Sequence, residues 1–230
     1  LQAFLARAGV ASRRASEELI REGRVTIDGA RAEIGAKVQI PREQVRVDGA
    51  LVELRRAQWL ALHKPTGYVT TRDDPRGRRT VYDLIPEEYH HLFHVGRLDR
   101  DSSGLLLLTN DGEAANHLLH PRYETSKEYW ADVEGEPSDS TLRRLVSGID
   151  LEDGIAQAIS VKSMGETDDD IWRVEIVLQE GRNREVRRML ESVGHPVRRL
   201  LRRRFGPIEL GKLRTGHWRQ LTPNEVNGLQ

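Results

Sequence analysis

Two periods alternate along the chain. At the start, Leu1, Phe4, Leu5 and Ala8 recur at helical spacing and Gly9 ends the run. A second helical stretch, SRRASEELIREG (12–23), begins on the capping-type Ser12 and closes at Gly23. The period then falls to two in RVTID and QVRVD, each running into an Asp-Gly turn at Asp28-Gly29 and Asp48-Gly49. From Trp59 onward strand patterns dominate: WLALHK, GYVTT, HLFHVG, LLLLT, EYWADVE, AQAISVKS, IWRVEIVLQ, VRRLLRRRFG and WRQLT. Among them lie three helical patterns, GEAANHLLH, DSTLRRLVSG and NREVRRMLESVG. SMGETDDD (163–170) reads as a hairpin loop, its three aspartates as a solvated turn rather than a metal site. Strands outnumber helices without alternating strictly with them, so the expected class is α+β. The expected organisation is a small α/β unit over 1–54, a linker over 55–58 (RRAQ) and a second domain over 59–230.

Charge refines this picture. Lys plus Arg and Asp plus Glu each number 36 in 230 residues, which would argue against a polyanion partner if they were evenly spread. They are not. Residues 182–204 hold 9 basic against 2 acidic residues, residues 1–56 hold 11 against 8, and residues 132–153 hold 2 against 7. Local patches set the field that a polyanion feels. The absence of cysteine removes disulfides, thiolate zinc sites and a thiol nucleophile. No run of about 18 apolar residues offers a membrane span, and the reading is a soluble, cytoplasmic protein. The chain starts at Leu1 rather than Met, which reads as a trimmed start.

Candidate chemistry centres on GRLDRDSSGLLLLTNDG (96–112). Asp99 lies between Arg97 and Arg100, just before the apolar run Leu105–Leu108 of a buried strand. Flanking arginines favour the ionised carboxylate, and a loop feeding a buried strand would hold it rigidly at a cleft. A structural ion pair explains the same pattern. The longer segment resembles the signature of pseudouridine synthases of the RsuA/RluB/RluE/RluF type. HKPTGYVTT (63–71), KEYWADVEG (127–135) and the stretch from LQEGRNREVRRML (178–190) to GKL (211–213) follow in that family's order. LARAGVASRRASEELIREGRVTIDG is similar to the S4-type RNA-binding domain, which implies that Arg13 and Arg14 reach RNA phosphates.

The resemblance implies a catalytic domain on a large mixed, mostly antiparallel sheet with flanking helices, acting on ribosomal RNA. It implies isomerisation of uridine to pseudouridine with no cofactor and no metal, by a monomer. It makes Asp99 the catalytic carboxylate and Tyr129 the ring that stacks on a flipped base, where the residues alone suggest a half-buried strand tyrosine. Lys127 shares the Tyr129 face and would support the site, while Trp130 faces away and reads as core. Arg187 is aligned, in preference to Arg184 or Arg188, as the partner of Asp99, with Leu178 as an apolar wall under the uracil. Arg97, Arg184 and Arg188 are further candidate contacts to RNA. RNREV is closer to the RluB-type, large-subunit branch, which points to 23S rather than 16S rRNA. RDDPRGRRT (72–80) and VRRLLRRRFG (197–206) are expected to line an RNA channel more than to pair with acids. His63, His90, His91 and His94 make no convincing metal site. The alternatives are a 16S rRNA synthase or a non-catalytic RNA-binding assembly factor on the same fold.

Overall fold

In the computed structural model, which describes residues 1–229, the helical spacing near the start forms α1 (Gln2–Arg7) and α2 (Arg13–Arg21). Ser12 caps α2 by accepting from the Ala15 N–H at 3.2 Å. Four short strands follow, β1 (Val25–Ile27), β2 (Ala30–Arg31), β3 (Val45–Val47) and β4 (Ala50–Leu51), in the order β2-β1-β3-β4. The two Asp-Gly pairs close the hairpins with positive φ at both residues, 51° and 85°, then 49° and 81°. That is the type I′ geometry whose twist suits antiparallel strands. Leu1, Phe4, Leu5, Ile20, Val25, Ala32 and Val45 form the core of this unit. It comprises Leu1–Gln58 with Thr109–Glu113, and a second unit holds Trp59–Leu108 and the described chain from Ala114.

The second unit is built on β5 (Trp59–Lys64), β6 (Phe93–Val95), β7 (Ser103–Thr109), β8 (Lys127–Glu134), β9 (Ile149–Leu151), β10 (Gly154–Ala156), β11 (Ser160–Asp168), β12 (Ile171–Leu178), β13 (Val197–Phe205), β14 (Ile208–Glu209) and β15 (Trp218–Gln220). Its helices are α3 (Gly112–Leu119), α4 (Asp139–Ser147), α5 (Glu185–Ser192) and α6 (Pro223–Asn227). The main sheet runs β11-β12-β8-β13-β7-β5-β15, with β14 on β13 and β6 on β7; β9 and β10 form a separate hairpin. β13 lies parallel to β7, whereas β11–β12, β12–β8, β8–β13 and β15–β5 are antiparallel. The sheet is mixed and mostly antiparallel, and the fold is α+β. The four leucines explain β7's central place: Leu106 and Leu108 join one core cluster, Leu105 and Leu107 another. Successive side chains point to opposite faces, so a strand covered on both sides reads as continuously apolar.

Three expectations need correction. GYVTT is not a strand: Val69 makes only an isolated bridge to Thr80, and Thr70 is turned toward Leu98. SMGETDDD is mostly strand, because β11 runs to Asp168 with register shifts near Gly165, whose φ is 92°. Its solvent-facing side chains on an outer strand imitate a loop in sequence. Trp130 does face away from Tyr129's side but is half-buried rather than core. Its ring is sandwiched by Arg173 and Arg203, whose guanidinium carbons lie 5.2 and 4.3 Å from its centroid.

Candidate active site

The Asp99 loop is held by its main chain. Asp99–Ser102 forms a turn closed by the Ser102 N–H on the Asp99 carbonyl at 3.1 Å. Lys64, at the end of β5, is fully buried, and its Nζ donates to the carbonyls of Pro65, Asp99 and Ser102 at 3.1, 2.8 and 2.8 Å. The Gly67 N–H donates to the Arg100 carbonyl at 2.7 Å, and Thr70 Oγ1 donates to the Leu98 carbonyl at 2.8 Å. HKPTGYVTT is therefore a clamp around the loop. Burial pulls the Lys64 ammonium down to about 8, against the opposing pull of Asp101 and Asp99.

Asp99 opens onto a cavity of about 810 Å³, lined also by Arg97, Leu98, Ser102, Lys127, Tyr129, Leu178, Arg184, Leu200 and Arg202. That volume suits a nucleoside. Tyr129 on β8 is 8% exposed, with its hydroxyl unbonded among the described residues. Leu178 closes β12 opposite Lys127 in register. Lys127 Nζ donates to the carbonyls of Thr125, Gln179 and Glu180 at 3.3, 2.9 and 3.3 Å, fixing the cavity wall ahead of α5. Burial pulls Lys127 too down to about 8, with Arg202's charge adding. Val186, Met189 and Leu190 of α5 pack at helical spacing into the same core as Tyr129.

Residues 58–192 match the RNA pseudouridylate synthase family, and residues 1–48 match the S4 domain. The chain belongs to the RNA pseudouridylate synthase family. A ribosomal large subunit pseudouridine synthase B of Bacillus subtilis (strain 168) is 43% identical over 232 residues, covering 100% of this chain and 95% of that protein. An uncharacterized RNA pseudouridine synthase of Aquifex aeolicus (strain VF5) is 45% identical over 228 residues, covering 98% and 91%. A crystal structure of a pseudouridylate synthase is similar with a TM-score of 0.70 at 27% identity, over 100% of this chain and 99% of that one.

In the synthase, the arginines divide differently from the sequence reading. Arg187 does not pair with Asp99. Its Nη1 and Nη2 donate to the Val197 and Asp101 carbonyls at 2.9 Å each, and its Nε lies 3.5 Å from the Asp101 carboxylate. The turn sends Asp101, not Asp99, toward α5, so Arg187 grips the loop from behind. Arg184, in left-handed backbone geometry at the start of α5, is the guanidinium nearest Asp99, at 3.8 Å, and bonds Asp101 at 3.0 Å. Arg188 is committed to Asp153 through two bonds of 2.8 and 2.9 Å and does not line the cavity. Arg97 is exposed at the cavity's edge. In the first unit, Arg13 and Arg14 are exposed and make no hydrogen bond or ion pair among the described residues.

The basic strand β13 is used more for pairing than expected, because β8 beside it carries acids. Arg198 pairs with Glu134, and Arg204 pairs with Glu128 at 3.2 Å. In the 72–80 loop, Arg78 pairs with Asp74 at 2.7 Å and Arg72 donates to the Leu92 carbonyl at 2.9 Å. Among the described residues no group of three or more His, Asp or Glu side chains is set to hold a metal. Sequence reasoning missed Lys64 and Arg202. A lysine inside HKPTG and one arginine among several carry no periodic signal of burial. The apolar neighbours of Lys64, WLAL, were the available hint.

Proposed function

We propose that this synthase isomerises a uridine of 23S rRNA, with Asp99 as the reacting carboxylate. The observation that carries the reading is Asp99 on a main-chain-clamped loop at the mouth of a nucleoside-sized cavity, beside Tyr129 and Leu178. The similarity along nearly the full length of the Bacillus subtilis large-subunit synthase supports the choice of 23S RNA. A uridine stacked in a helix hides its glycosidic bond, so it must be extruded, at a cost of a few kcal/mol. Stacking on the Tyr129 ring offsets about 1–3 kcal/mol of this. With the base seated over Leu178, Asp99 faces the ribose, where it adds to C1′ or takes the C2′ proton. The bond from N1 to C1′ breaks, the uracil turns, and C5 bonds to C1′. Arg187 and Arg184 hold the loop through Asp101, while Arg97 and Arg184 at the rim meet phosphates. Arg13 and Arg14 supply affinity from the S4 unit. The protein acts as a monomer in the cytoplasm.

Carbodiimide treatment and primer extension on rRNA from a deletion strain test this reading. The expected result is one or more pseudouridine stops missing from 23S RNA and restored by the wild-type gene. Loss from 16S RNA alone would move the target, and an unchanged map would remove the rRNA assignment.

A further inference from the structure

Four cations are buried among the described residues: Lys64, Lys127, Arg187 and Arg202. Each lysine donates to three carbonyls, and Arg187 donates to two carbonyls while its Nε, without a hydrogen bond, faces the Asp101 carboxylate at 3.5 Å. Arg202 differs in facing no carboxylate. It is 2% exposed, its Nε donates to the Leu105 carbonyl at 2.8 Å, and its Nη2 is buried with no partner. Its guanidinium carbon lies 4.9 Å from the Phe205 ring centroid, a contact that takes up no N–H donor. No carboxylate lies within ion-pairing distance of it among the described residues. A buried charge with an idle donor is costly unless something completes it. Arg202 lines the same cavity as Asp99 and Tyr129, and its Cα is the cross-strand partner of Tyr129.

The motif glycine helps to put it there. A Cβ on Gly104 would stand 2.4 Å from the Arg202 carbonyl oxygen and 2.5 Å from its nitrogen, so only glycine lets β7 lie this close to Arg202. Its charge reaches its neighbours: after burial, Arg202 is the next cause that depresses Lys127, and it also acts on Lys64, where Asp101 and Asp99 oppose it.

Resting on the reading of this cavity as the uridine site, we propose that Arg202 is a catalytic residue: its guanidinium donates to a carbonyl oxygen of the extruded uracil and stabilises the negative charge on the departing base. Depth separates this role from phosphate binding. Phosphates stay with the RNA backbone at the rim, where exposed Arg97 and Arg184 stand, whereas the base alone reaches a side chain so deeply covered. When the N1–C1′ bond breaks, its electron pair leaves with N1 and spreads onto O2 and O4. A half-turn about the N3–C6 axis exchanges N1 with C5 and O2 with O4. The same guanidinium therefore meets a carbonyl oxygen before and after the turn. C5 then gives its electron pair to C1′, which neutralises the ring, and a proton leaves C5 as one is taken up at N1. A fixed cation binds the anionic base more strongly than the neutral one, which is what accelerates the step.

The test uses single turnover at saturating RNA on a fragment carrying the 23S site, with uridine or 5-fluorouridine at the target. Fluorine makes the base a better leaving group, less dependent on outside stabilisation. The readout is the N-glycoside remaining after nuclease digestion, together with Kd for the fragment. Arg202→Met is expected to slow uridine cleavage by about 10²-fold or more, with Kd within about three-fold of wild type. The loss on 5-fluorouridine is expected to be at least about ten-fold smaller. Arg202→Lys, which keeps the charge without the fork, is expected to fall between; if the methionine variant does not fold, the ratio of the two bases with Arg202→Lys decides. Equal losses on both bases would assign Arg202 a structural role, and a loss confined to Kd would assign it to phosphate; either overturns the proposal. Wild-type protein inactive on the fragment would instead overturn the uridine-site reading itself.

Discussion

Asp99 owes its place to carbonyl contacts more than to an ion pair, since its nearest guanidinium, on Arg184, is 3.8 Å away. The residue was legible from its motif; the partner of Arg187 was not. That partner is set by which way a four-residue turn points, across 86 positions of chain, and no spacing encodes it. The difference is testable. Arg187→Met frees the loop from α5 and is expected to lower turnover by about 10²-fold or more, whereas Arg188→Met, tied to Asp153 outside the cavity, is expected to stay within a few-fold; single-turnover rates on one RNA fragment compare them. Lys64 makes a pH prediction. Its folded value, about 8, lies below that of the unfolded chain, so the unfolded state binds more protons between about 8 and 10.5. Its contribution to stability therefore rises with pH across that window and is lost as pH falls through about 8. Activity moves the other way, because a neutral amine has two N–H groups for three carbonyls and the loop loosens. Denaturant titrations and turnover measured from pH 7 to 10 are expected to diverge in this way, and Lys64→Met is expected to remove the Lys64 share of the stability rise and leave that of Lys127, which is also near 8.

At the level of elements, the four leucines announced a central strand, and α1 to α5 were legible from spacing, with Ser12 as a cap, whereas the short α6 was not read. GYVTT misled because valine and threonine suit a strand as well as a clamp, and its hydrogen bonds go to the Leu98–Arg100 segment far along the chain. SMGETDDD misled for the opposite reason, since an outer strand with polar faces lacks the alternation that marks a half-buried one. Gly104 joins motif and fold. Gly104→Ala would push β7 off the Arg202 backbone and strain a φ of 114°. It is expected to cost about 1–3 kcal/mol of stability and to lower turnover more than binding, read by denaturant unfolding beside single-turnover kinetics. Unchanged stability would show that β7 and β13 are less tightly apposed than the Gly104 geometry requires.

For the whole molecule, zero net charge conceals a division of labour. Acids of the 132–153 segment neutralise arginines of β13 and β12, as Glu134 does for Arg198 and Asp132 for Arg173. Arg13 and Arg14 stay unneutralised and available for phosphate. Replacing both by alanine in the full chain is expected to weaken RNA binding and to reduce the slope of log K against log salt by about 1 for each arginine–phosphate pair removed, with the single-turnover rate at saturation unchanged. On the proposed reading, the chemistry comes down to one carboxylate acting on one nucleoside. The direct measurement is single-turnover conversion of the target uridine in an RNA fragment by wild type and Asp99→Asn, with Kd measured for both and the RNA mass followed. The expected result is equal Kd, pseudouridine formed at unchanged mass by wild type, and none formed by Asp99→Asn. Conversion by Asp99→Asn within a few-fold of wild type would contradict the assignment of Asp99 as the reacting group.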